Sequence, residues 1–173
     1  RIKGVNLEQN EFDKPYIAAS YSADGKNIIL LTEGDIIKIS LEDKTEIFKQ
    51  EMYISPNDTR VLTESYNGEK IAVKVGTQVY ILDGNSGEVV DEIYFPKVNM
   101  RYFAYNYDTN TVVGFGENGN YSIWKDKIIV ENNLSYGGGV PIEFIYLKDG
   151  SKILANSHES QTIKIIDLKS RVL

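Results

Sequence analysis

The sequence predicts an all-β chain built from four repeats of a four-stranded antiparallel unit, and three observations support this. Short apolar segments recur with their last residues at Ser40, Asp83, Lys125 and Asp167, at spacings of 43, 42 and 42. Turn signals recur in step with them. Counted at Gly25, Gly68, Asn110 and Gly150, their intervals are 43, 42 and 40. The composition leans toward sheet, with 12 tyrosines but only 4 prolines and 2 methionines in 173 residues, and aromatic and β-branched side chains suit a pleated, half-buried surface. A period of about 40–45 residues with four strands per repeat is the pattern of β-propeller blades. A single blade cannot bury both its faces; stacking blades around an axis does.

The first blade is expected over about 15–52. Strand-like runs at 17–21 and 28–32 flank Asp24-Gly25, and a third run ends at Ser40. The stretch 44–52 is ambiguous on its own, since Ser40 and Asp43 could open a capped helix. The other three units place an outer strand there, and strand is the expectation.

The second blade, 53–96, reads as strands at about 60–66, 69–75, 77–83 and 88–95. Asn67-Gly68, Gly76 and Asp83-Gly84-Asn85-Ser86-Gly87 form its turns, with residue types that tolerate positive φ. The third blade, 97–134, turns at Asp108-Thr109-Asn110. The fourth, 135–173, turns at Asp149-Gly150 and has only Arg171-Val172-Leu173 to begin an outer strand. The spare strand-like segment 2–7 would complete the last blade or a preceding one. The chain begins at Arg1 with no leader pattern, so a piece of a longer or processed protein is expected. The compartment stays open.

Composition narrows the function. Lys and Arg total 19 against 25 Asp and Glu, a net charge of -6. That balance opposes binding to nucleic acid and to anionic membrane surfaces. Without cysteine, neither disulfides nor thiolate metal sites are available.

No catalytic residue, metal or cofactor is expected. Ser157-His158-Glu159 holds the letters of a triad, but sequence neighbours in one turn cannot point at one another as a triad requires. The 83–88 stretch alternates oxygen ligands like the start of a calcium loop and lacks the closing glutamate; a hairpin turn explains it. Gly114-Phe115-Gly116 and Tyr136-Gly137-Gly138-Gly139 lack the lysine and helix of a phosphate loop. The glycine triplet gives slack to a connection or lets a ligand approach the backbone. The strip Arg101-Tyr102-Phe103-Ala104-Tyr105-Asn106-Tyr107 is either a contact strip or sheet packing, and packing is favoured.

The repeats resemble WD40 and related WD40-like and quinoprotein-like blades. Ser22-Ala23-Asp24-Gly25-Lys26 and Lys148-Asp149-Gly150-Ser151-Lys152 are similar to that family's turn between first and second strands. Leu82-Asp83 and Ile166-Asp167 match the aspartate of its Trp-Asp pair, and Trp124 matches the tryptophan. The family's Gly-His pair is absent, so its histidine-centred bracing network cannot form here. The resemblance covers the chain from about Tyr16 onward and implies a rigid, non-catalytic scaffold or sensor that binds protein or peptide.

In such a propeller, one face collects the connections between blades and the turns between second and third strands. The residues expected there are Tyr53, Arg60, Lys97, Arg101, Tyr136 and His158, with Glu33 and Glu117. Ring closure has three readings: part of a larger ring, a four-bladed ring alone, or a homodimer closing eight blades. The alternative functions are an enzyme-associated propeller, of peptidase or hydrolase type, and an extracytoplasmic ligand-binding propeller.

Overall fold

The computed structural model describes residues 16–22, 24–54, 62–65, 67–95, 100–116, 120–125, 128–135, 141–146, 151–157 and 161–167. The first sheet is β1 (Tyr16–Tyr21), β2 (Asn27–Thr32), β3 (Asp35–Ser40) and β4 (Glu46–Glu51), and the second is β5 (Leu62–Glu64), β6 (Lys70–Val75), β7 (Gln78–Asp83) and β8 (Val89–Tyr94). The third is β9 (Met100–Asn106), β10 (Thr111–Gly116), β11 (Asn120–Lys125) and β12 (Ile128–Ser135); the fourth contains β13 (Pro141–Tyr146), β14 (Lys152–Ser157) and β15 (Thr162–Asp167). Every pairing is an antiparallel hairpin between chain neighbours. Stretch 46–51 is a strand, not a helix. The expected strand segments 2–7 and 171–173 lie outside the described residues.

Backbone conformation explains why the turns keep the period. Gly25, Gly68 and Asn110, the residues that set the turn spacing, all have positive φ (71°, 74° and 49°). The turns beyond the third strands repeat as well. Ser40 N–H donates to Thr45 C=O (2.9 Å) and Asp83 N–H to Glu88 C=O (2.8 Å), with Lys44 and Gly87 at the matching positive-φ position.

The core lies between sheets, in layers built by alternating residues. Ile29, Leu31, Ile36 and Phe48 of the first blade pack on Ile71, Val73 and Leu82 of the second. Val79, Ile81, Ile93 and Phe95 meet Phe103, Tyr105, Val112 and Trp124 of the third. Val113, Phe115, Tyr121 and Ile123 meet Ile153, Ala155 and Ile166 of the fourth. Of the aromatic strip, Phe103 and Tyr105 are therefore sheet packing. On the other side of the fourth blade, Ile163 and Ile165 are 67% and 63% exposed.

Two polar bolts hold the second blade. From the first, buried Lys38 Nζ reaches the Glu64 carboxylate at 2.9 Å and donates to the Gly84 carbonyl at 2.8 Å. From the third, the Tyr107 hydroxyl donates to the Thr63 carbonyl (2.6 Å) and accepts from the Ala72 N–H (3.0 Å). Burial keeps this phenol protonated far above the ordinary tyrosine range. Tyr107→Phe would leave the buried Ala72 N–H without this acceptor. It is expected to cost about 1–3 kcal/mol, read as a lower urea midpoint at unchanged slope.

Candidate functional site

The two ends of the blades differ in how their loops are used. At one end, the segment after β4 is tied to the turn between β2 and β3: Met52 N–H donates to Gly34 C=O (2.9 Å) and Ile54 N–H to Glu33 C=O (3.1 Å). The second blade repeats this with Phe95 N–H on Thr77 C=O (2.9 Å). Connections between blades and second-to-third-strand turns thus share one face.

Tyr53 is the outstanding residue of that face. Its neighbours are both pinned by backbone hydrogen bonds and Ile54 is fully buried, yet the Tyr53 side chain is 81% exposed. A large ring is held out to solvent between two residues whose backbone N–H groups are hydrogen-bonded to the adjoining turn. Glu33 is exposed on the adjoining turn.

Among the other expected residues, Arg101 falls in β9, but its side chain lies outside the described residues, as do Arg60, Lys97, Tyr136, His158 and Glu117. The structure therefore brings Tyr53 and Glu33 together. It adds a residue that sequence reasoning missed. Tyr94 ends β8 at this same face, opposite Gln78, and is exposed. The signal was present in the alternation, because Ile93 and Phe95 are core and the residue between them must point outward.

The opposite end consists of short, self-satisfied turns. Ser22 Oγ donates to Asp24 Oδ1 (2.6 Å) and accepts from Asn27 N–H (2.8 Å). Ser65 repeats this with Asn67 Oδ1 (2.8 Å) and Lys70 N–H (2.9 Å). Asp83 Oδ1 accepts from Asn85 N–H (2.9 Å) and Ser86 N–H (2.8 Å), which is hairpin chemistry. Among the described residues, no three of His, Asp or Glu are placed to hold a metal.

These hydrogen bonds set a pH dependence. The Ser22 hydroxyl lowers the Asp24 pKa, the Ser40 and Thr45 hydroxyls lower that of Asp43, and the Ser86 and Asn85 N–H groups lower that of Asp83, all from an ordinary 3.8. A depressed folded-state pKa means that the unfolded chain binds more protons. The contribution is then complete above 3.8 and is lost as pH falls through the lower folded values. The expected result is a urea midpoint that falls as pH drops below 3.8, with a shallower fall for the triple variant Asp24→Asn, Asp43→Asn and Asp83→Asn. Asn67 already does Asp24's work in the second blade, so the triple variant should fold normally near neutrality.

No family model and no curated protein matches this sequence. Solved structures do. The β-propeller domain of Cps50 (Swd1) from Myceliophteria thermophila superposes with a TM-score of 0.76 at 13% identity, covering 95% of this chain and 56% of that one. The fold is a β-propeller. Kuenenia stuttgartiensis hydrazine synthase is similar over 96% of this chain and 50% of its own (TM-score 0.68, 12% identity). The dihydro-heme d1 dehydrogenase NirN is similar over 90% and 35% (TM-score 0.59, 15% identity). This propeller run thus spans about a third to just over half of the chains it resembles, and at these identities the likeness is one of fold.

Proposed function

We propose that this WD40-like propeller is a non-catalytic scaffold or sensor module that binds a protein or peptide on the face carrying Tyr53. The observation that carries this reading is the pre-organised exposure of that ring. Binding normally loses free energy to ordering side chains and loops. Here the backbone on both sides of Tyr53 is already fixed, so docking a partner onto the ring orders little more than its own rotamer. Tyrosine is among the residue types that anchor interfaces, and Tyr94 at the same face offers a second ring. By their positions in the sequence, Arg60, Lys97, Tyr136 and His158 are assigned to the same proposed face, and Arg101, in β9 next to the connection that precedes it, is assigned with them. The turn-filled opposite end, whose hydrogen-bonding groups are largely spent within the turns, offers a partner less.

The test is selection of peptides from a displayed library on the immobilised protein, followed by affinity measurement. Tyr53→Ala should weaken the selected peptides by about tenfold or more, the effect of losing an interface anchor. Equal affinity for Tyr53→Ala, or peptides that bind only the opposite end, would overturn the reading.

A further inference from the structure

The third strand of each blade presents two residues to the blade that follows. These are Ile36 and Lys38 in the first blade, Val79 and Ile81 in the second, and Tyr121 and Ile123 in the third, all buried. The same positions in the fourth blade, 42 residues on, are Ile163 and Ile165, which stand in solvent. They project on the side away from the third blade, because their pairing partners Asn156 and Leu154 alternate with Ile153 and Ala155, which face it.

The first blade has the reciprocal face. Each later blade meets its predecessor with a cross-strand pair: Ile71 with Leu82, Val112 with Trp124, and Ile153 with Ile166, all buried. The equivalent pair in the first blade is Ile28 with Ile39, and both are only half-buried. Leu30 with Ile37 shares that side, Leu30 buried and Ile37 half-buried, and Tyr21, opposite Ile28, is 68% exposed. Equivalents of both halves of the internal blade-to-blade interface thus stand at the two ends of one chain, exposed at Ile163 and Ile165 on the fourth blade and half-buried at Ile28, Ile37 and Ile39 beside exposed Tyr21 on the first.

We infer that a second copy of this chain covers both faces, the fourth blade of each copy packing on the first blade of the other to close an eight-bladed ring. The internal interfaces continue directly into the new one, with apolar second- and third-strand residues on each side. Charged residues on the two faces come as opposites: Lys49 lies 3.5 Å from Asp35 on the first blade, and Lys152 is opposite Asp167 on the fourth. Head-to-tail contacts run on as fibres unless the rotation closes. Two runs of four make eight blades, within the range of about four to eight in which propellers close. Once the first contact forms, the second is intramolecular and strongly favoured. The inference rests on the fold and is independent of what binds at Tyr53.

Light scattering after size-exclusion chromatography tests it. The expected mass is twice 19.6 kDa, unchanged across micromolar concentrations. Ile163→Lys with Ile165→Lys should halve the mass, and so should Tyr21→Lys on the first blade, each with an unchanged circular dichroism spectrum because these side chains are exposed. Mixing the two monomeric variants should restore association, since one intact interface remains between them. A monomeric wild type, a dimer that survives both sets of substitutions, or a mixture that stays monomeric would each overturn the proposal.

Discussion

Lys38→Met is expected to destabilise the protein by about 3–5 kcal/mol, the cost of breaking a buried ion pair from one side. Lys38 Nζ is held between the Glu64 carboxylate and the Gly84 carbonyl, with both charged side chains buried. Removing the ammonium takes the cation from a carboxylate that water barely reaches. An exposed pair would give at most about 1 kcal/mol, so the size of the loss separates the two cases. The repeat also suggests how to restore stability. Ile81 occupies the matching position in the second blade, and Tyr105, paired with Val112 as Glu64 is with Ile71, matches Glu64 in the third. The buried ion pair thus stands where the next interface uses isoleucine against tyrosine, both in one apolar cluster. Lys38→Ile combined with Glu64→Tyr should recover most of the stability that Lys38→Ile alone loses. Urea titration of the two singles and the double gives the coupling; additive losses would show that the pair does not act as a unit.

The same comparison shows what the sequence could reveal. The period, the hairpins and the positive-φ turn residues are local, written in dipeptides such as Asn67-Gly68, so the blades were legible. Lys38 was not. Within Ile36-Ile37-Lys38-Ile39 a lysine reads as the solvent side of a strand, and only the second blade, 26 residues on at Glu64, makes it an inward residue. Tyr107 was legible as part of an aromatic strip, but not as a bolt to Thr63 and Ala72, because those bonds span 44 and 35 residues. At the candidate site, Tyr53 could be placed from its position between blades. The fixing of its backbone by Glu33 and Gly34 depends on a turn packed against it in space. The exposure of the fourth blade's third strand is legible only by comparing equivalent positions across blades, since Ile163 and Ile165 look like ordinary core residues in sequence.

Trp124→Ala should cost about 3–5 kcal/mol, in the range of large aromatic deletions from a core. Its ring stacks edge-on against Phe95 at 4.5 Å between the second and third blades. The neighbouring strand explains why a tryptophan fits. Gly114 replaces the side chains that the other blades carry at its position, Leu30, Val73 and Ala155, and a Cβ there would overlap Met100 Sδ and crowd the Trp124 ring. The indole fills the volume that Gly114 leaves. Its N–H has no hydrogen-bond partner among the described residues, so Trp124→Phe gives up volume without losing a bond and should cost much less than alanine. In the second blade Leu82 and Val73 divide the same space. Trp124→Leu with Gly114→Val should therefore be more stable than Trp124→Leu alone, while Gly114→Val in the presence of Trp124 is destabilising. Trp124 is the chain's one tryptophan, so the single variant Gly114→Val can be followed by its fluorescence and the leucine variants by circular dichroism. If the double variant is no more stable than Trp124→Leu, the indole and Gly114 do not share one volume, and this account of the interface fails.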